Sequence, residues 1–346
     1  MIFLRKFDPT AQSCRSGVGL AIPPRGPWRG EPTWRSLTGT SSGIGPATAV
    51  SLARAGHTVA ATMRNLDGGG DLRQIISKEK LPITLTALDV DDDGSVRDAF
   101  AKVVAEHERI DILVNNAGIP GAAGGVEEIP FKVFQQVMET NFFGALRCIK
   151  AVVSGMRERR QGTIVNVTSV AGRIARASLA PYAASKWALE ALNECLAQEM
   201  RAFDVRVVIV EPGVIATPIL TKGYPIPAGG PYPHARRITA LFAARLANPT
   251  PPSVVGNLIR DIVDGDSWQL RYPAGPDAAL ALQGRASKTD EQVVAEAAER
   301  RICRAGQARI RARPYVVTGG SGRARLARRG KCTSGRYPDT TTHVVS

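Results

Sequence analysis

Two side chains four residues apart carry the chemistry most worth following. Tyr182 and Lys186, in Tyr182-Ala-Ala-Ser-Lys186, share one face if the segment is helical. A phenol with an ordinary pKa near ~10 is a poor proton-transfer group at neutral pH. An ammonium beside it favours the phenolate and brings that pKa down. Ser169 lies upstream, where residues 163–168 are rich in β-branched side chains and free of charge, the pattern of a buried parallel strand. A hydroxyl at the mouth of that strand is suited to hydrogen-bond a substrate oxygen. Serine, phenol and ammonium together make an acid/base site for an alcohol–carbonyl pair. A Tyr-x-x-x-Lys pair by itself is more often an accident of helix spacing. Ser169 on a strand end is what separates this one from the background.

In this order and spacing the three residues resemble the catalytic Ser, Tyr and Lys of the short-chain dehydrogenase/reductase family. Such a site needs a cofactor cradle, and the chain offers one in Thr38-Gly39-Thr40-Ser41-Ser42-Gly43-Ile44-Gly45, followed by a helical stretch from Pro46. Glycines permit a tight turn and close backbone approach to a pyrophosphate, and the helix N-terminus presents N–H groups to it. Pro46 suits the first helical turn. A lone glycine loop is weak evidence, but Thr-Gly-x-x-x-Gly-x-Gly is the variant this family uses.

The second strand is expected over 56–65, with Arg64 at its end. An acidic residue there would hydrogen-bond the ribose 2′-hydroxyl of NAD. A guanidinium instead pairs with the 2′-phosphate of NADP. NADP(H) is therefore the expected cofactor, with NAD(H) as the alternative. The third strand, 83–90, ends in Asp89-Val90, which matches the family's adenine border. Asp91, Asp92 and Asp93 read as an acidic lead-in to a helix over about 95–107, with Ser95 as the candidate cap. A fourth strand from Ile110 runs into Asn115-Asn116-Ala117-Gly118, a plain polar turn by sequence, and in the family a wall of the cofactor crevice.

Phe131 to Lys150 reads as helical and carries Asn141. The resemblance makes Asn141 a fourth catalytic-site residue that kinks the helix and supports a proton relay; by sequence alone it is a helix-surface Asn. A sixth strand from Val205 ends in Pro212-Gly213-Val-Ile-Ala-Thr217, whose backbone and threonine the resemblance assigns to the nicotinamide carboxamide. Residues about 218–250 suit a flap over substrate. Helical patterns follow at about 235–247 and 253–264, and residues 267–275 read as an edge strand.

Alternating strands and helices behind a glycine fingerprint indicate an α/β fold, a doubly wound parallel sheet of Rossmann-like type. The resemblance spans roughly residues 33–280. It implies one domain over 33–299 and hydride transfer to or from a carbonyl or secondary alcohol. It also implies assembly as a homodimer or homotetramer through the helices around 141–158 and 182–202.

Net charge is +14 over 346 residues, but it is unevenly placed. Residues 1–37 carry six Lys/Arg against two Asp/Glu, and residues 300–346 carry twelve against one, leaving the body at −1. The ends, 1–32 and 300–346, read as poorly ordered basic tails. A nucleic-acid or anionic-surface binder driven by the tail is the rival from another class; the tail lacks interleaved aromatics, so no nucleic-acid partner is expected. A cofactor-sensing scaffold without turnover is a second rival, but it has no need of the acid/base set. Val316-Val-Thr-Gly-Gly-Ser-Gly322 mimics a phosphate loop without the strands and helices to follow it. No apolar run reaches the ~18 residues that span a bilayer, so no membrane role is expected. The five cysteines are scattered without C-x-x-C and no metal-ligand spacing occurs. A cytoplasmic setting fits. The Ile, Leu, Tyr and Pro content of the flap favours an apolar small-molecule substrate.

Overall fold

The computed structural model describes residues 34–220, 231–232 and 249–298. The expected tails, most of the flap, the helix at 235–247 and the 316–322 loop lie outside these residues. Seven parallel strands form one sheet in the order β3-β2-β1-β4-β5-β6-β7. They are β1 (Trp34–Leu37), β2 (Thr58–Met63), β3 (Ile83–Ala87), β4 (Ile112–Asn115), β5 (Gly162–Val167), β6 (Val205–Pro212) and β7 (Arg271–Ala274). The order reverses between β1 and β4, and the crevice beyond the strand ends at such a switch point is where ligands bind in open α/β sheets.

Period-2 alternation builds a core on each face. Ile112, Val114, Val165, Val208 and Val210 pack on one side with Leu52 of α1 (Ile44–Arg54). Leu113, Ile164 and Val207 point to the other, where Phe100 of α3 (Asp93–His107) and Met156 meet them. Between those helices in the chain comes α2 (Gly70–Glu79), whose Leu72 packs on the α1 side. Helix α4 (Phe131–Met138) continues through a π-helical turn, Glu139–Phe143, into α5 (Gly144–Glu158). Then come α6 (Ala180–Arg201), α7 (Pro252–Asp264), α8 (Pro276–Ala286) and α9 (Asp290–Ala298). A chain of buried amides crosses the centre of the sheet. Asn115 Nδ2 donates to Asn166 Oδ1 at 2.8 Å, Asn166 Nδ2 to Asn193 Oδ1, and Asn193 Nδ2 to the Leu189 carbonyl at 2.7 Å.

The first strand holds the least expected residue. Arg35 sits in register with Val59 and Ile112 on its two flanks and is 1% exposed. Burying a lone cation is costly, so buried charges are paired. Arg35 Nη2 donates to His57 Nδ1 at 2.5 Å, and His57 Nε2 is 2.6 Å from Asp264 Oδ1 at the end of α7. Burial pushes the guanidinium down to about 9. Burial and the Arg35 charge both hold the imidazole below its usual pKa, which suits a neutral ring bridging cation to carboxylate.

Two local expectations are corrected. Helix α3 begins at Asp93, and its cap is Asp92, whose Oδ1 accepts from the Ser95 N–H at 2.6 Å. The Ser95 hydroxyl is engaged elsewhere, accepting from the Asp89 N–H at 2.9 Å. Helices α8 and α9 were not expected from sequence at all.

Candidate active site

At the switch point the strand ends open onto a cavity of about 1010 Å³, at the top of the ~300–1,000 Å³ range of small-molecule sites. Its floor is the β1–α1 loop. Gly39 and Gly43 have φ of +68° and +71°, a conformation glycine adopts without strain. A Cβ on Gly39 would lie 2.7 Å from the Ala117 Cα, and one on Gly45 only 2.2 Å from the Gly39 carbonyl oxygen. No side chain caps the N-terminus of α1 at Gly43. Its first N–H groups therefore remain donors, which is what an anion needs. Gly39, Ser41, Ser42, Gly43 and Ile44 line the cavity. Thr40 and Gly45 do not: Thr40 turns inward, its hydroxyl donating to the Thr62 carbonyl at 3.0 Å.

The β4 turn braces this loop. Asn116 Nδ2 donates to the carbonyls of Thr38 and Gly39 at 3.1 and 3.0 Å, and the Thr38 hydroxyl accepts from the N–H groups of Asn116 and Ala117. Asn116, Ala117 and Gly118 face the cavity, as do Asp89 and Val90. Arg64 directly follows β2, is exposed, and lies on the cavity wall. It makes no hydrogen bond or ion pair among the described residues.

Ser169, Tyr182 and Lys186 meet across the cavity from the glycine loop. Ser169 follows β5; its Oγ accepts from the Ala171 N–H at 3.1 Å and is hydrogen-bonded to the Tyr182 hydroxyl. Tyr182 and Lys186 lie one turn apart on α6, with Lys186 Nζ 5.7 Å from the phenol ring centre. Lys186 is buried, and its Nζ donates to the Val167 carbonyl at 2.9 Å. Burial pulls the ammonium down to about 8, against the opposing charge of Glu190. The expected drop in the Tyr182 pKa is not what this structure has. Burial pushes the phenol up, and it is the Ser169 hydrogen bond that opposes the rise.

Asn141 sits in the π turn, buried, and does not line the cavity. Its Oδ1 accepts from the Ile119 N–H at 2.8 Å, and its Nδ2 donates to the Ile119 carbonyl and to Ser185 Oγ, each at 3.0 Å. Ser185 in turn donates to the Tyr182 carbonyl at 2.8 Å. Asn141 thus ties the β4 loop to the turn of α6 that carries Tyr182. Asn141→Ala leaves the buried Ser185 hydroxyl and the half-buried N–H and carbonyl of Ile119 each short of a bond. An unsatisfied buried group costs about 1–3 kcal/mol, so this variant is expected to lose roughly 2–4 kcal/mol of stability, read from urea unfolding midpoints.

Pro212, Gly213 and Thr217 close the far side of the cavity. Sequence reasoning missed what holds them. Asp277, in the first turn of α8, accepts from the Val214 N–H at 2.9 Å. The signal was available in Gly275-Pro276-Asp277, a helix start with proline in the first turn and an acidic residue behind it.

Among the described residues no three His, Cys, Asp or Glu are grouped to hold a metal, and no helix is long and apolar enough to cross a membrane.

The chain is similar to known proteins over most of this architecture. The family model described as short chain dehydrogenase matches residues 35–225. The chain is 35% identical over 256 residues to the uncharacterized oxidoreductase YusZ of Bacillus subtilis (strain 168), covering 71% of this chain and 90% of that protein. It is 42% identical over 186 residues to retinol dehydrogenase 8 of Homo sapiens, a stretch that makes up 52% of this chain but only 58% of that relative. Among solved structures, a short-chain dehydrogenase from Streptomyces avermitilis superposes with a TM-score of 0.66 at 31% identity, over 80% of this chain and 99% of that one.

Proposed function

The chain belongs to the short chain dehydrogenase family, and on that footing we propose that it is an NADP(H)-dependent oxidoreductase acting on a carbonyl or secondary alcohol of an apolar small molecule. The observation that carries the reading is the convergence of Ser169, Tyr182 and Lys186 on the cavity whose floor is the glycine loop. The loop fits a dinucleotide: a Cβ at Gly39 or Gly45 would fill the space by which backbone meets backbone, and the α1 N-terminus supplies uncapped donors for a pyrophosphate.

When bound, the nicotinamide supplies or takes up the hydride at the substrate carbon. Tyr182 gives or takes the proton on the substrate oxygen. Ser169, already bonded to the phenol, fixes that oxygen within reach. Lys186 places a positive charge near the phenol and provides donors for the ribose hydroxyls. Asn141 holds the α6 turn and the β4 loop in register behind them. Pro212, Gly213 and Thr217 would hold the nicotinamide end, and Asp89, Val90, Asn116, Ala117 and Gly118 the adenosine side. Ser41, Ser42, Gly43 and Ile44 would hold the pyrophosphate, with Arg64 for a 2′-phosphate. The substrate end is walled by Ala122, Val133, Val137, Ile174 and Leu179, which favours an apolar molecule; the relative named as a retinol dehydrogenase is in keeping with that class.

The same proposal takes 33–299 as one catalytic domain with the two basic ends outside it, working in the cytoplasm as a homodimer or homotetramer. Phe143 and Trp187, 42% and 47% exposed on the π turn and α6, are apolar surface available for such pairing.

The test is a screen of apolar aldehydes and ketones with NADPH and, in parallel, NADH, following loss of reduced-cofactor absorbance. Substrate-dependent oxidation, faster with NADPH, is expected. Oxidation of neither cofactor with any carbonyl, and reduction of neither with the matching alcohols, would overturn the reading.

A further inference from the structure

Beside the catalytic face of α6 lies a group of charges that the mechanism above does not use. Glu190, one turn beyond Lys186, and Glu211, next to Pro212 at the end of β6, are 4% and 1% exposed. Glu194 of α6 completes the acidic set. The cations near them are Arg271 on β7, Arg173 after β5, and Lys186 one turn back on α6.

The arginines are not shared evenly. Arg271 Nε donates to Glu190 Oε2 at 3.0 Å, and its Nη2 donates to Glu194. Glu211 Oε1 is 3.8 Å from Arg271 Nε and 3.8 Å from Arg173 Nη1, beyond hydrogen-bond reach of both. Arg173 is itself substantially exposed. Glu190 Oε1 and Glu211 Oε1 are buried without a hydrogen bond. Three carboxylates thus face one committed guanidinium, and two like charges in one buried site cannot both be kept at low cost.

We propose that the cluster's shared proton resides on Glu211, which stays partly protonated up to neutral pH, and that Glu190 is thereby kept as the counter-ion that positions Lys186 and sustains its charge. The geometry selects the proton's place: Glu190 and Glu194 each take an Arg271 N–H, and Glu211 takes none. Burial and the neighbouring Glu190 push the Glu211 carboxyl up to about 7, outweighing Arg173 and Arg271. On the other side, Glu190 is the group that opposes the burial-driven fall of the Lys186 ammonium. Glu190 and Glu211 are positioning residues, acting through Lys186. Their role rests on the reading of Lys186 as part of the site, so the test does not depend on turnover.

Protein labelled with ¹³C at the glutamate side-chain carboxyl is titrated by NMR. One carboxyl is expected to titrate near neutrality, absent from Glu211→Gln and displaced in Glu190→Gln. Absence of any such carboxyl in the unaltered protein overturns the proposal, whether or not the variants fold. Unfolding is then compared between the unaltered protein and Glu211→Gln across pH. A carboxyl whose pKa is raised on folding gives stability that is present below the unfolded value of 4.5 and lost as pH rises to about 7. Relative to the glutamine variant, the unfolding constant of the unaltered protein should rise by up to about tenfold per pH unit across that window and level off above it. A gap that is constant with pH means an ordinary ionised carboxylate and sinks the idea. The Lys186 arm uses ¹³Cε-labelled lysine, the resonance being assigned by its loss in Lys186→Met. Glu190→Gln should move its midpoint below the value in the unaltered protein; an unmoved midpoint removes Glu190 as its counter-ion. If both titrations behave as expected but no carbonyl is reduced, the charge arrangement stands and the reading of function fails on its own.

Discussion

Tyr182→Phe is expected to lower turnover by roughly 10²–10⁴-fold, the usual worth of a positioned general acid or base, while leaving NADPH affinity within about twofold. The substitution removes one hydroxyl and keeps the ring, so packing in α6 survives. What is lost is the phenol placed against Ser169 in the cavity, the only one lining it among the described residues. In this structure burial holds that phenol protonated, so in the reducing direction it begins as the acid form, ready to donate. Lys186, pulled down to about 8 by burial, still carries its charge at pH 7. Lys186→Ala should be worse in kind: it takes away the charge beside the phenol, a donor to the ribose, and the partner of the Val167 carbonyl. Turnover should fall and cofactor binding should weaken together. The discriminating measurement is kcat beside the NADPH dissociation constant for each variant. Near-normal turnover in Tyr182→Phe would remove the phenol from the mechanism.

The second large effect concerns the adenosine end. Arg64→Ala should weaken NADPH binding by about ten- to a hundredfold and leave NADH binding nearly unchanged. A hydrogen bond to a charged group is worth ~1.5–3 kcal/mol, and ~1.4 kcal/mol is a factor of ten. The guanidinium is exposed on the cavity wall and makes no hydrogen bond or ion pair among the described residues, so the truncation breaks no bond in the fold. Surface changes of that kind usually stay within about 0.5 kcal/mol of neutral. Fluorescence titration of both reduced cofactors at one ionic strength checks it. Equal losses for the two would make Arg64 structural. Tighter NADH than NADPH binding in the unaltered protein would reverse the cofactor choice. Adding Met63→Asp to the variant should tip preference to NADH, because a carboxylate accepts from a 2′-hydroxyl and repels a phosphate.

How much of this was readable beforehand depended on whether the cause was local. The runs at 112–115, 163–167 and 205–210 carry Val, Ile or Leu on both faces, with few polar interruptions such as Arg206 and Asn166, and no other element suits them; they became β4, β5 and β6. The spacing of Tyr182 and Lys186 is helix geometry, and Ser169 at a strand mouth faces them once β5 packs beside α6. The Tyr182 pKa was misread because sequence shows a neighbouring lysine but not the depth of burial, and burial dominates. Thr40 was grouped with its loop, yet which side of an irregular loop faces the ligand is set by long-range contacts, here the Thr62 carbonyl. Ser95 was chosen as cap over Asp92 because three consecutive aspartates leave the register ambiguous. Arg35 is a charge in the middle of a sheet whose central strands are otherwise largely apolar; its remedy, His57 and Asp264, lies too far along the chain to be seen locally.

That remedy sets an order of events during synthesis. His57 and Asp264 are 207 residues apart in sequence, so β1 cannot be sealed into the sheet with the bridge from Arg35 through His57 complete until α7 has left the ribosome. The first half of the chain can form helices and a partial sheet, but burying Arg35 at that stage means burying its charge before the bridge through His57 to Asp264 exists. Contacts of such long range are made late and slow folding. The last helix of the alternating series thereby acts as the latch on the first strand, and with it on the glycine loop that β1 feeds. A nascent chain stopped before Asp264 would hold every residue of the catalytic set and still lack the seal that fixes its cofactor cradle.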